Sequence, residues 1–243
     1  WRRSLPPEYA EWRRLEVSLK PLKKSDMNKE WMRTRRDKPR KIQPEYHLIV
    51  TEGTNTEPAY FSAVRDTVNR RYRGKVQLDI FGEGDNTLSL LERARQRKRM
   101  SPYVYKHVWV VYDTDDFPAR HIDKTAVLCK EISTEETEYH AIWSNQCIEL
   151  WFLLHFGYMH SDLHRNAYWP KLSECLERID AGCYKKNRED MYTVLCPYIE
   201  FAIHNAKRLD AENAGKPPSQ SAPGTKVFEL IEKLSPYLLA EDM

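Results

Sequence analysis

The segment VWVVYDTDDF (108–117) contains three aspartates within four positions, directly after a run of β-branched and aromatic residues. Asp113 and Asp115 lie two positions apart, and in an extended chain side chains at that spacing point to the same side. Carboxylates that converge without partners repel one another and raise each other's pKa. Their oxygen atoms suit a hard cation, above all Mg²⁺, for which Mn²⁺ can substitute. The alternative interpretation is a polar turn, and Asp116 could simply start the next segment.

Two glutamates occupy comparable places elsewhere in the chain. Glu52 follows the apolar run YHLIV (46–50), and Glu149 lies about one turn inside the apolar segment CIELWFLLHF (147–156). A carboxylate in such apolar surroundings needs a partner. Glu52 could instead belong to an ordinary turn, and Glu149 could lie on a solvated face. Taken with the two aspartates, these acids predict a site where two ions about 4 Å apart assist a phosphoryl displacement.

The elements that must position these acids alternate between strands and helices. Helices are predicted from about Thr56, Leu88 and Ile122, each after a strand. The predicted strands are YHLIV (46–50), VQLDIF (76–81), VWVVY (108–112) and YHAIW (139–143). This alternation predicts an α/β fold with βαβ crossovers and a mostly parallel sheet flanked by helices. In such sheets the site lies at the carboxyl ends of the strands, which is where the acids fall.

After about residue 160 the strand pattern stops and only helical patterns follow. The predicted helices cover residues 167–180, 188–208 and 225–239. The chain is therefore divided into a basic, partly disordered leader, a catalytic core and a helical extension that completes the same domain. Their predicted bounds are 1–44, 45–158 and 159–243.

Composition excludes several classes of protein. The 243 residues are 41% hydrophobic, yet no run of about 18 apolar residues could span a membrane. The five cysteines form no CxxC pair, which argues against a disulfide framework or a cysteine zinc site and favours the cytoplasm. The turn GEGDN (82–86) lacks the spacing of a phosphate-binding P-loop. The histidines are dispersed along the chain, and their spacing does not indicate a Ser-His-Asp catalytic triad.

Basic charge is concentrated near the start of the chain. Residues 1–44 carry 14 Lys/Arg and 6 Asp/Glu, whereas the remainder is net acidic. Such a leader predicts contact with the phosphates of a nucleic acid, although a solvated arm is the alternative. Residues 1–26 are set apart from the fold, because Met27 is a candidate internal start. The predicted nucleic-acid contacts are Arg33, Arg35, Arg36, Lys38, Arg40 and Lys41.

A glutamate after the first strand and an Asp-x-Asp after a later one resemble the Toprim arrangement of topoisomerases, primases and overcoming-lysogenization-defect nucleases. The match is closest to the RloB family. These are Toprim-like proteins of bacterial anti-phage and abortive-infection loci, often encoded beside an ABC-type ATPase. The resemblance covers about residues 40–239. The similar segments, in family order, are EGTNTEPAYF (52–61), VYDTDDF (111–117), SNQCIELWFLLHF (144–156), YKKNREDMY (184–192) and AIHNAK (202–207).

The resemblance implies a Toprim-like sheet and a role for each matched acid. Glu52 takes the position of the Toprim glutamate, as general base or metal ligand. Asp113 and Asp115 would hold the metal ion, Mg²⁺ or Mn²⁺, and Glu149 would add a carboxylate.

The resemblance also implies a basic residue at the site. Lys186 falls in the matching segment and would stabilise the charge that develops on the phosphoryl group. Lys185 is adjacent and stays an alternative, as does a solvated basic face for both lysines. Gln146 stands where the family usually has proline, which is expected to loosen the start of the following helix.

Three functions compete on these grounds. The leading hypothesis is a Mg²⁺-dependent endonuclease that cleaves DNA or tRNA as the effector of an anti-phage system, with an ABC-type ATPase as partner. A haloacid-dehalogenase-like phosphatase would use Asp113 as nucleophile, but that motif normally opens its domain. The third is a regulatory or sensing subunit without catalysis. It would bind the ATPase through residues whose helical spacing also suits a core, namely Tyr192, Leu195, Tyr198 and Phe201.

Overall fold

The computed structural model describes residues 44–72, 74–84, 87–114 and 117–238. Within them, four strands form one sheet in the order β2-β1-β3-β4, and every neighbouring pair is parallel. The strands are β1 (Glu45–Thr51), β2 (Val76–Gly82), β3 (Tyr105–Asp113) and β4 (Glu138–Ser144). Helices flank this sheet, so the predicted α/β, Toprim-like class is confirmed.

Helices connect the strands and then continue alone to the end of the described chain. The first three are α1 (Thr56–Tyr72), α2 (Thr87–Met100) and α3 (Ala119–Ile132). The remaining five are α4 (Glu149–Leu154), α5 (Arg165–Glu177), α6 (Met191–Leu195), α7 (Ile199–Glu212) and α8 (Val227–Leu238). None of the described helices is both long and apolar enough to cross a membrane.

Both faces of the sheet are buried, which explains why its strands are almost continuously apolar. On one face, Ile49 and Val111 pack in a core with α1 and the helices that follow β4. On the other face, Leu48, Val50 and Val110 pack with α2 and α3. The two central strands, β1 and β3, therefore have little room for polar side chains except at their ends.

Strand register brings the carboxyl ends of neighbouring strands to one edge. Thr51 at the end of β1 pairs with Gly82 at the end of β2 and with Val111 of β3. Asp113 at the end of β3 pairs with Ser144 at the end of β4. Residues that follow these strands therefore meet in space, although they are far apart in the chain.

The long helix predicted over residues 188–208 was wrong as a continuous element. The structure divides it into α6, a 3₁₀ turn at Cys196–Tyr198, and α7. Pro197 lies in that turn, and its missing N–H and its ring prevent an uninterrupted α-helix.

A buried hydrogen bond joins the helices α1 and α4. The indole Nε1 of Trp151 in α4 donates to the hydroxyl of Tyr60 in α1 over 3.0 Å. Both side chains are at most 1% exposed. Because both groups are buried, bulk water cannot replace either partner, so this bond holds α1 and α4 in a defined orientation.

Replacing Tyr60 with phenylalanine should destabilise the fold, because it leaves the buried indole N–H of Trp151 without its acceptor. We expect Tyr60→Phe to lower the free energy of unfolding by about 1–3 kcal/mol in urea denaturation. The control is Tyr103→Phe, which removes a hydroxyl at a side chain that is 46% exposed. That change should cost less than about 0.5 kcal/mol. Equal effects of the two substitutions would contradict the assigned role of the bond.

Candidate functional site

A cleft of about 440 Å³ lies at the carboxyl edge of the sheet, where β1 and β3 end and α1 and α4 begin. Its walls combine acidic side chains with basic ones. The acidic residues are Glu52, Glu57, Asp113 and Glu149, and the basic residues are Arg165 and Lys186. Four of these were predicted as site residues from the sequence, namely Glu52, Asp113, Glu149 and Lys186.

Glu52 is held by both its backbone and its side chain. Its N–H donates to the carbonyl of Val111 over 2.9 Å, and its carbonyl accepts from the N–H of Gly84 over 3.0 Å. The carboxylate oxygen Oε2 accepts from the backbone N–H of Asp113 over 3.3 Å. Glu52 therefore continues the β1–β3 pairing for one residue and directs its carboxylate towards the end of β3.

Asp113 is the last residue of β3, and its half-buried side chain lines the cleft beside Glu52. The backbone after it stays in place, because the N–H of Thr114 donates to the carbonyl of Ser144 over 3.0 Å. Asp115 lies outside the described residues, so its predicted place beside Asp113 stays a prediction.

Glu149 is the first residue of α4, rather than lying a full turn inside the helix as predicted. Its side chain is only 3% exposed, and the oxygen Oε1 accepts two hydrogen bonds. The donors are the hydroxyl of Tyr184 at 2.7 Å and the indole Nε1 of Trp169 at 3.2 Å. Burial, together with the Glu149 carboxylate, raises the pKa of Tyr184, which therefore stays protonated as a donor. The expected partner of a buried acid is thus present.

Glu57, in the first turn of α1, is a cleft residue that the sequence analysis missed. It is 6% exposed. Burial raises the pKa of Glu57, and the nearby Glu149 carboxylate acts in the same direction. The backbone N–H groups of Glu57 and Gly53 and the charge of Lys186 oppose that rise without cancelling it. The charged form of Glu57 is therefore disfavoured in the cleft, and these residues offset that effect only in part.

Gly53 makes the position of Glu57 possible. A Cβ atom at residue 53 would lie 2.1 Å from the oxygen Oε2 of Glu57, far inside van der Waals contact. The dipeptide Glu52-Gly53 is therefore more than a turn: the first residue supplies a carboxylate, and the second leaves room for another.

Lys186 lines the cleft, whereas Lys185 does not. The ammonium group of Lys186 lies 4.7 Å from the centre of the Trp169 ring, in a cation–π contact. Its backbone carbonyl accepts from the hydroxyl of Thr56 over 2.9 Å. This bond ties the lysine segment to the start of α1, directly beside Glu57.

Gln146 stands where the family usually has proline and was expected to loosen the start of the following helix. In the structure it has a different role. Its side-chain oxygen Oε1 accepts from the backbone N–H of Arg165 over 2.7 Å. Arg165 opens α5 and lines the cleft. The glutamine therefore fixes the start of α5 and, through it, the backbone that carries a second cation.

The predicted nucleic-acid contacts lie outside the described residues. They are Arg33, Arg35, Arg36, Lys38, Arg40 and Lys41. Their role stays a prediction, and Arg165 and Lys186 supply the basic groups in the described wall of the cleft.

Comparison with known proteins identifies the family. The family model of RloB-like proteins matches residues 47–234, which is most of the chain. The chain belongs to the RloB-like family. Neither the curated proteins nor the solved structures include a significant match to it. All described acids and cations of the cleft lie inside the range of this RloB-like match.

Substituting Gly53 should displace the Glu57 carboxylate, because the new methyl group would occupy its place. We expect Gly53→Ala to lower the free energy of unfolding by about 1–3 kcal/mol in urea denaturation. The matched control is Gly157→Ala, since a Cβ there meets nothing within 4 Å. The double variant Gly53→Ala/Glu57→Ala should recover part of the loss. Identical behaviour of the two glycine variants would contradict this packing.

Glu57 should make the stability of the fold depend on pH. The pKa of Glu57 is raised in the folded state. Its contribution to the free energy of unfolding is therefore fully present at pH values below its pKa in the unfolded chain, about 4.3. That contribution is lost as the pH rises through the folded pKa, because the folded state then has to hold the buried carboxylate in its charged form. We therefore expect Glu57→Gln to lose less stability than the wild type over that interval. Urea denaturation from pH 4 to 8 with a chelator present tests this, and parallel curves would contradict it.

Proposed function

We propose that this RloB-like chain is a Mg²⁺-dependent Toprim endonuclease that hydrolyses phosphodiester bonds in DNA or tRNA. In this proposal it acts in the bacterial cytoplasm as the effector of an anti-phage defence system. The observation that carries the proposal is the cleft itself, where four carboxylates and two cations face one space at the carboxyl ends of parallel strands. Phosphoryl-transfer sites need this combination, since metal ions require acids and phosphates require cations.

The acids of the cleft fit a hard cation. Carboxylate oxygens are the ligands that Mg²⁺ prefers, and this ion usually takes one or two of them together with water and substrate phosphate. Burial raises the pKa of Glu57, the nearby Glu149 carboxylate adds to that rise, and a cation bound close by would favour the charged form of Glu57. Glu52 and Asp113, with Asp115, are the residues proposed to hold it. When bound, Mg²⁺ would polarise a phosphoryl oxygen and neutralise developing charge.

The chain's own residues supply the remaining steps. The Glu52 carboxylate, oriented by the backbone N–H of Asp113, is placed to accept a proton from an attacking water. Lys186 and Arg165 bind phosphate oxygens and stabilise the negative charge of the transition state. Glu149, already engaged by Tyr184 and Trp169, is better suited to orient its neighbours than to move a proton.

Binding of a long substrate would rely on the basic leader. Its excess of Lys and Arg would engage phosphates without regard to sequence, so affinity should fall steeply with added salt. The ABC-type ATPase partner is proposed from the family resemblance, and it would supply the signal that activates cleavage.

The two alternatives receive less support. For a regulatory subunit, Tyr198 and Phe201 are exposed, but Tyr192 and Leu195 are buried in the core. Isolated exposed apolar side chains of this kind are common on protein surfaces.

For a haloacid-dehalogenase-like phosphatase, Asp113 would be a nucleophile at the end of the third strand in sequence, whereas that motif normally follows the first strand.

The two adjacent lysines allow a matched test of catalysis. We expect Lys186→Ala to reduce cleavage of labelled tRNA or plasmid DNA with Mg²⁺ by about 10²–10³-fold, because it removes a group that stabilises the transition state. Lys185→Ala should keep wild-type activity. Asp113→Asn should abolish cleavage.

The assay should be run with and without the ATPase partner, so that a restrained enzyme is not mistaken for an inactive one. Equal loss in both lysine variants would contradict a specific role for Lys186 in catalysis. Absence of cleavage by the wild type under every condition would overturn the proposed function.

A further inference from the structure

A cluster of histidine and glutamate side chains, which are residue types that can bind metal ions, lies at the amino-terminal end of the sheet, opposite to the cleft. β1 and β4 begin with the same tripeptide, Glu-Tyr-His, at residues 45–47 and 138–140. In each, the glutamate and the histidine are two residues apart and point to the same face. His107 of β3 lies between them, paired in register with His47 on one side and Glu138 on the other.

The spacing of three donor atoms is that of a tetrahedral metal site. Nδ1 of His107 lies 3.0 Å from Nε2 of His140. The oxygen Oε2 of Glu138 lies 3.5 Å from Nδ1 of His107 and 3.8 Å from Nε2 of His140. Zinc–nitrogen and zinc–oxygen bonds of about 2.0–2.1 Å in a tetrahedron place ligand atoms roughly 3.4 Å apart. The three distances lie on both sides of this value.

The surrounding groups hold these donors in a ligating orientation. The His140 ring stacks on Trp109, with ring centres 4.0 Å apart. Oε1 of Glu138 pairs with the ammonium of Lys106 at 3.4 Å, which leaves Oε2 directed at the two imidazoles. Nε2 of His107 lies 3.4 Å from the Glu45 carboxylate. Metal-bound histidines usually donate their other N–H to such a carboxylate.

His47 belongs to the support of this cluster rather than to the ligands. Its Nδ1 lies 3.2 Å from the indole Nε1 of Trp109, which can only donate. A neutral His47 must therefore carry its hydrogen on Nε2, from which it donates to Glu45 over 3.0 Å.

We propose that His107, Glu138 and His140 form a Zn²⁺ site that links β3 to β4, with Glu45 and His47 as its supporting shell. Two imidazoles and a carboxylate are typical zinc ligands, and they differ from the all-oxygen acids of the cleft. His107 is buried, whereas His140 and Glu138 are partly exposed, so an ion and a fourth ligand such as water can reach the site from solvent.

Cobalt(II) tests this proposal, because tetrahedral Co²⁺ absorbs visible light far more strongly than octahedral Co²⁺. We expect the metal-stripped full chain to take up one equivalent of Co²⁺ with a tetrahedral spectrum, and one equivalent of Zn²⁺ to displace it. His140→Ala and Glu138→Gln should lose that spectrum. Glu45→Gln should weaken binding by about 10–100-fold, as expected for loss of a supporting carboxylate.

Two control variants separate this site from other possibilities. His204→Ala removes an exposed histidine elsewhere, and Asp113→Asn changes the cleft, so both should keep the tetrahedral spectrum. Glu138 is a partly exposed residue, and its variant decides the test if His140→Ala fails to fold. Any of three results would overturn the proposal. The tetrahedral spectrum could persist in Glu138→Gln, it could be lost in Asp113→Asn, or the wild type could show only an octahedral spectrum.

Discussion

Burial of acidic side chains at the carboxyl edge of the sheet is the constraint on which the rest of this structure depends. Glu57 and Glu149 are both almost fully removed from water, and isolated carboxylates are costly in such a place. The chain meets that cost with specific donors. Tyr184 and Trp169 donate to Glu149, while Gly53 leaves room for Glu57 and donates its N–H. These donors do not cancel the effect of burial on Glu57, and in the proposed function a cation would stabilise its charged form.

The helical extension is part of the site rather than an addition to it. Arg165 and Trp169 are in α5, and Tyr184 and Lys186 come from the segment that follows. Without these residues, Glu149 would lose both side-chain donors and the cleft would lose Arg165 and Lys186. This dependence agrees with the family match, which continues through the helices to residue 234. It also explains why α4 is so apolar, since it packs between the sheet and the helices that complete the cleft.

Sequence patterns were sufficient where the place of a residue in space follows directly from its position in an element. Glu52 and Asp113 stand at the ends of apolar runs, and parallel strands bring such ends together. Glu57 was missed because a glutamate in the first turn of a helix is normally solvated, and its burial comes from packing against distant segments. The hydrogen bond from Arg165 to Gln146 and the proposed Zn²⁺ site were missed for a related reason. They depend on strand register and on contacts between residues far apart in sequence, which hydrophobic periodicity does not encode.

The central claim, that the cleft binds a divalent cation, can be measured directly by calorimetric titration of Mn²⁺. Wild-type protein should bind Mn²⁺ in competition with Mg²⁺, Asp113→Asn should lose that binding, and His140→Ala should retain it. This result would place the cation among the acids at the end of β3. Undiminished Mn²⁺ binding by Asp113→Asn, or no competition from Mg²⁺ in the wild type, would contradict the claim.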